Sequence, residues 1–151
     1  KKENLLVISP DSHPDKEQII QQLRNIPGLI VQIIQNLTYE QYKETISRAK
    51  WAITFGEGLD GYIIEPIFSG AVGFAVFNED FFTEDFRGIP CIYDNYAQLA
   101  ERILEDIQHY DQKERYYSVN KTQYELCAKY YDYAQYQENI RKFYLKEYTF
   151  K

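Results

Sequence analysis

The feature that most constrains this chain is a regular alternation of short β-branched apolar runs with segments of helical periodicity. Asn4 to Ser9 is an apolar run stopped by Ser-Pro-Asp, the pattern of a strand buried on both faces. Pro14 suits the first turn of a helix, in which Ile19, Ile20 and Leu23 recur at helical spacing until Ile26-Pro27-Gly28 breaks it. Leu29 to Ile34 is a second strand-like run, and Thr38 with Gln41 three residues on forms a capping box opening a helix to about Ala49. Trp51 to Phe55 reads as a third strand, followed by the glycine-rich turn Gly56-Glu57-Gly58-Leu59-Asp60-Gly61. A short helix then spans Tyr62 to Ser69, ended by Gly70, and Val72 to Phe77 is a fourth strand. Beyond an acidic, aromatic loop, Ile89 to Tyr93 supplies a fifth strand, and Asp94 or Asn95 caps a helix to about Gln108.

Repeated βα units of this size imply an α/β, Rossmann-like three-layer sandwich around a parallel sheet of five or six strands with right-handed crossovers. Ligands of such sheets bind beyond the carboxyl ends of the strands, so each candidate site should lie just after a strand. With 151 residues, 44% of them hydrophobic, the chain has material for one core and not for two. The whole of 1–151 is therefore one domain, with 110–151 a helical, tyrosine-rich C-terminal extension. Tyr124, Cys127, Tyr131 and Ala134 fall on one helical face there, which reads as packing surface.

Charge and composition exclude several function classes. The net charge is -6 and Lys and Arg never form a run, which argues against nucleic acid and anionic membrane as partners. Cys91 and Cys127 stand far apart in no metal-ligand spacing, so neither a zinc site nor a disulfide framework is read. No basic-then-apolar leader occurs and no apolar run approaches the ~20 residues that span a bilayer. The expectation is a cytoplasmic protein with no transmembrane segment, membrane-peripheral at most as part of a longer enzyme.

Two motifs overlap after the third strand. Gly56, Gly58 and Gly61 spell G-x-G-x-x-G, with Glu79 further on, the fingerprint of an NAD-type dinucleotide site. That fingerprint belongs on the first strand of its sheet, whereas two βα units precede it here. Glu57 would also set a carboxylate in the turn that a pyrophosphate must approach. The second motif is the pair Glu57 and Glu65, separated by seven residues, one in the turn and one in the helix. Glu65 is embedded in Tyr62-Ile63-Ile64 and Pro66-Ile67-Phe68, a stretch too apolar for an idle charge, although most helix carboxylates are simply solvated.

From Ala49-Lys50-Trp51-Ala52-Ile53-Thr54-Phe55-Gly56-Glu57-Gly58 through Ile64-Glu65-Pro66-Ile67-Phe68-Ser69-Gly70-Ala71-Val72-Gly73, the chain resembles the Glu-x7-Glu region of retaining GT-B glycosyltransferases. That family includes glycogen synthases and bacterial polysaccharide and lipopolysaccharide transferases. The likeness is to its C-terminal donor-binding domain and follows the order of elements from Asn4 to about Gln108. It implies a glycosyltransferase of polysaccharide or glycoconjugate biosynthesis that binds a nucleotide-diphosphate sugar. Glu57 would act against the transferred sugar as the catalytic residue, Glu65 would hold the ribose, and Lys16 would reach the diphosphate. It further implies retention of configuration, no metal or other cofactor, and an upstream acceptor domain without which this fragment transfers little or nothing.

The chemistry of the residues agrees. A helix N-terminus at Gly58 to Gly61 offers N–H groups and a partial positive charge suited to a diphosphate. Glu65 can accept charge-assisted hydrogen bonds from both ribose hydroxyls, each worth about 1.5 to 3 kcal/mol. The arginine that the family places before its lysine has no counterpart in Ser9-Pro10-Asp11-Ser12-His13, where Ser9 and His13 are the candidate donors. Leu59-Asp60-Gly61 stands where the family has an aromatic followed by glycine, and Asp60 is expected to cap the helix or, alternatively, to bond sugar hydroxyls. The base is expected near Ile34, at the end of the second strand. Two rivals from other classes are a phosphorelay receiver, for which the acidic pair, aspartate and lysine are missing or misplaced, and a noncatalytic α/β interaction module.

Overall fold

The structure is a computed structural model and describes residues 2–56 and 59–131. Five strands and five helices alternate among them: β1 (Glu3–Ile8), α1 (Lys16–Arg24), β2 (Ile30–Ile33), α2 (Tyr39–Arg48), β3 (Ala49–Ile53), α3 (Gly61–Phe68), β4 (Val72–Val76), β5 (Ile92–Tyr93), α4 (Tyr96–Tyr110) and α5 (Lys113–Tyr130). The strands form one parallel sheet in the order β2-β1-β3-β4-β5. The sequence expectation of a parallel α/β sandwich holds.

The near-continuous apolar runs belong to the centre of the sheet, as burial on both faces demands. Successive side chains of a strand point to opposite faces, so each run feeds two cores. Leu6, Ile8, Trp51, Ile53, Val72 and Phe74 pack on one face against α1 (Ile19, Ile20, Leu23) and α4 (Leu99, Ile103, Ile107). Leu5, Val7 and Ala52 turn to the other face, where α2 supplies Tyr42 and Ile46. There α3 adds Ile63, Ile64, Ile67 and Phe68, packed with Ala75, Ile92, Phe82, Phe86 and Cys127. At Gly73 a methyl group would stand only 2.6 Å from Ile63 Cγ1, so the absent side chain is what lets α3 lie this close to β4.

Local signals placed the caps correctly. Thr38 and Gln41 form the reciprocal capping box at the start of α2, and Asn95 accepts from the Gln98 N–H at the start of α4. The fifth strand is shorter than the apolar run implies: Cys91 adopts φ +72°, and the chain from Ile89 turns before pairing begins at Ile92. α5 docks through the expected stripe, of which Cys127 and Tyr131 join the core beside α3, and through polar side chains as well. Its Tyr116 hydroxyl lies 2.9 Å from the Lys50 carbonyl and 2.7 Å from that of Gly70, while Asn120 donates to the carbonyls of Ile67 and Ala71. Of the stripe itself, Cys127 is buried and Tyr124 rests edge-on against Phe68 with 37% of its surface exposed. Ala134 and the rest of 132–151 lie outside the described residues, so the helical extension is seen only as far as Tyr131. No described helix is long and apolar enough to cross a membrane.

Candidate functional site

In the order β2-β1-β3-β4-β5, the chain leaves β1 towards one edge of the sheet and β3 towards the other. The loops after these two strands diverge, and the crevice between them is where open parallel sheets bind ligands. Its described walls are Ser9 to Asp15 after β1, and Thr54 to Gly56 with Leu59 and Asp60 after β3. Tyr96, at the first turn of α4, closes one side.

The β1 loop is held by its own side chains. Lys16 Nζ donates to the Ser9 and Asp11 carbonyls, each at 2.7 Å, which folds the loop back over the start of α1. An ammonium has three donors, so one is left for a ligand. Burial lowers the Lys16 pKa, and the charges of Asp11 and Glu17 act in the opposite direction. The Ser9 hydroxyl accepts from the Phe55 N–H at 2.9 Å, and its backbone N–H bonds to the Ile53 carbonyl, so Ser9 ties the two loops together from below. His13 Nδ1 accepts from the Asp15 N–H at 3.0 Å and also lies 3.9 Å from the Asp15 carboxylate. A nitrogen that accepts an N–H carries no proton, so the shorter contact governs, and Nε2 is the ring nitrogen left to donate. His13 stacks on Tyr96 with centroids 3.7 Å apart, and Tyr96 lies parallel to Phe55 at 6.0 Å.

On the other wall Asp60 caps α3, as its position predicts. One carboxylate oxygen accepts from the Tyr62 N–H at 3.0 Å and the other from the Thr54 hydroxyl at 2.9 Å, while Thr54 in turn accepts from the Gly56 N–H. The Asp60 carbonyl takes the N–H groups of Ile63 and Ile64. The N–H groups of Tyr62, Ile63 and Ile64 are therefore already bonded within the chain, so a phosphate at this helix start would have to use those from Gly58 to Gly61, of which Gly58 lies outside the described residues. Of the glycine turn, Leu59 packs its side chain partly into the core beside α3, Gly61 opens the helix, and Glu57 and Gly58 lie outside the described residues.

Glu65 lies one helical turn beyond Gly61, on the face where the Tyr42 hydroxyl meets the Gly61 carbonyl, and only 2% of its surface is exposed. Ionisable side chains are seldom buried to this depth unless paired. Ile34, the expected base contact, spends its side chain in the core at 1% exposure, packed with Leu5, Val7 and Tyr42. A ligand passing this point can meet only the backbone of Ile34 and the residues after it, among them Asn36 at φ +57°. The crevice thus gathers Ser9, His13, Lys16, Asp60 and Gly61, with Glu65 behind them in α3, and leaves the Ile34 side chain out.

Three residues in the crevice carried no distinctive sequence signal: Asp11, Thr54 and Tyr96. Asp11 Oδ2 and Asp60 Oδ2 converge over Gly56, where a methyl group would stand 2.6 Å from one and 2.8 Å from the other. Tyr96 has its pKa pushed up to about 12, by burial first and then by the charges of Asp11, Asp60 and Asp15. The only available hint was position, since Asp11, Thr54 and Tyr96 each follow within three residues of the end of a strand. Elsewhere, Cys91 and Cys127 are separate buried thiols whose pKa values burial raises, which makes them poor nucleophiles. Among the described residues no group of three or more His, Cys, Asp or Glu side chains is arranged to hold a metal ion. Compared with known proteins, the chain matches no family model, no curated protein and no solved structure.

Proposed function

We propose that this domain binds a nucleotide-diphosphate sugar in the crevice between the β1 and β3 loops, as the donor half of a retaining GT-B-type glycosyltransferase. The observation that carries the reading is Glu65: a carboxylate buried in an apolar helix that begins directly beside that crevice. Its role would be to accept hydrogen bonds from the ribose hydroxyls, with Glu57, eight residues earlier along the chain, set against the transferred sugar. The diphosphate would meet the remaining donor of Lys16 and Nε2 of His13 rather than the N–H groups of Tyr62, Ile63 and Ile64, which are bonded within the chain. Glu65 is closed to solvent, so a ribose reaches it only with movement of the neighbouring backbone. The acceptor site and the transfer reaction itself would depend on a further domain.

The strand order is shared with phosphorelay receivers, but Thr54 and Phe55 stand at the end of β3 where a receiver needs its aspartate, and no lysine follows β5. The dinucleotide alternative meets the Asp60 carboxylate at the point where a pyrophosphate would sit.

The test is calorimetric titration of the protein with UDP, GDP, CDP and their common sugars, for the wild type and for Glu65→Gln. One nucleotide should bind, and the variant should bind it at least tenfold more weakly, the loss of about 1.5 kcal/mol or more from charge-assisted bonds. Absence of nucleotide binding, or equal affinity in both proteins, would refute the reading.

A further inference from the structure

We infer that Asp11 is a specificity-determining residue of this crevice, whose buried carboxylate oxygen accepts a hydroxyl of an uncharged donor sugar and, with Asp60 beside it, turns away sugars bearing an acid group. The inference rests on the donor-binding reading above and names the class of sugar. Asp11 Oδ2 is excluded from solvent and has no hydrogen-bond partner among the described residues. A buried acceptor left in this state calls for a partner, and a hydroxyl entering the adjoining crevice reaches it with a small movement of the β1 loop.

The geometry limits what that partner is. A carboxylate oxygen accepts hydrogen bonds and donates none, so the missing group is a donor. Asp60 Oδ2 converges on the same point above Gly56, and the absent side chain there is what lets both acids approach the backbone, since any Cβ would collide with them. Neither nearby base is bonded to either carboxylate of the pair: Lys16 spends two of its three donors on the carbonyls of Ser9 and Asp11, and His13 Nδ1 accepts from the Asp15 N–H. Tyr96, stacked on His13 and electrostatically coupled to Asp11 and Asp60, adds a neutral hydroxyl to the wall. Such a surface receives neutral hydroxyl groups and repels carboxylate or phosphate. Gly56 adjoins Glu57, the residue assigned to the transferred sugar, so this wall belongs to the sugar end of the donor and not to its diphosphate.

The experiment compares matched donors that differ only in charge at the sugar, UDP-glucose with UDP-glucuronate and GDP-mannose with GDP-mannuronate, each with UDP or GDP alone as reference. For whichever nucleotide binds, the neutral sugar should bind more tightly than its uronate by about tenfold or more, the scale set by unscreened like charges near a protein surface. Asp11→Asn keeps the shape and removes the charge; it should narrow that gap several-fold while the affinity for the bare nucleotide changes less than about twofold. Wild-type protein that binds the uronate as well as the neutral sugar overturns the inference and leaves the donor-binding reading intact, and the same holds if Asp11→Asn leaves the gap unchanged. Failure of every nucleotide to bind overturns both.

Discussion

Gln123 offers the sharpest test of how this fold is held together. Alternate residues of β4 present their N–H groups towards β5: Ala75 donates to the Cys91 carbonyl and Phe77, just past the strand, to that of Tyr93. At Gly73, two residues earlier, β5 has not yet begun, and a side-chain amide from α5 takes the place of the missing strand. Gln123 Oε1 accepts from the Gly73 N–H at 2.8 Å, and its Nε2 donates to the Gly73 carbonyl at 2.8 Å and to the Pro90 carbonyl at 3.3 Å. The residue is 1% exposed, so no water replaces it readily. Gln123→Leu, of similar volume, leaves the two Gly73 groups buried and unpaired, at about 1 to 3 kcal/mol each, for a total of about 4 kcal/mol. In a domain of this size that lowers Tm by about 8 to 16 °C. Urea unfolding followed by fluorescence of Trp51, which is fully buried, should show a reduced midpoint with an unchanged slope. Gln123→Glu should be at least as damaging at pH 7, where a carboxylate would face two carbonyls, and should recover partly on acidification, when one oxygen regains a proton to donate. A loss below about 1 kcal/mol in Gln123→Leu would refute the idea that this amide completes the sheet.

Gly73→Ala places a methyl 2.6 Å from Ile63 Cγ1 and 2.8 Å from its Cδ1, so it should destabilise the domain by about 1 to 3 kcal/mol of overpacking. Thermal melting tests this, and an unchanged Tm would show that α3 shifts freely on the sheet. Stability should also fall in alkali. Burial raises the pKa of Cys127 to about 12 and of Tyr96 to about 12, and pushes Cys91, Tyr93 and Tyr116 up as well. These groups keep their protons in the folded state and lose them first in the unfolded chain, so their contribution is whole below their unfolded values near pH 9 to 10 and drains away above. Lys2, lowered to about 8 by burial, acts in the opposite direction between pH 8 and 10.5, but it is one half-exposed amine against five groups. Urea midpoints should drop steadily from pH 9 to 11, and a flat profile would contradict the burial of these side chains.

Much of the site's frame was legible because its determinants are local. The runs at Leu5–Ile8 and Trp51–Ile53, the capping box at Thr38 and Gln41, and the cap at Asp60 each depend on neighbours within a few residues. The crevice was legible to the extent that βα repetition puts binding loops after strands, which pointed to Ser9, His13, Lys16 and the turn leading to Glu65. Asp11 and Tyr96 were not, since an acid in a loop and a tyrosine on a helix carry no pattern until the loops after β1 and β3 and the start of α4 are brought together.

By itself, then, the amino-acid sequence determined which segments are strands and helices, which faces are apolar, and that a carboxylate sits in the apolar helix following the third strand. Spacing and local capping chemistry suffice for those. Strand order, the early end of β5, the role of Gln123 and the meeting of Asp11 with Asp60 were decided only by the tertiary structure. Each depends on groups tens of residues apart, and what brings them together is the packing of helices on both faces of a sheet, a property of the whole chain.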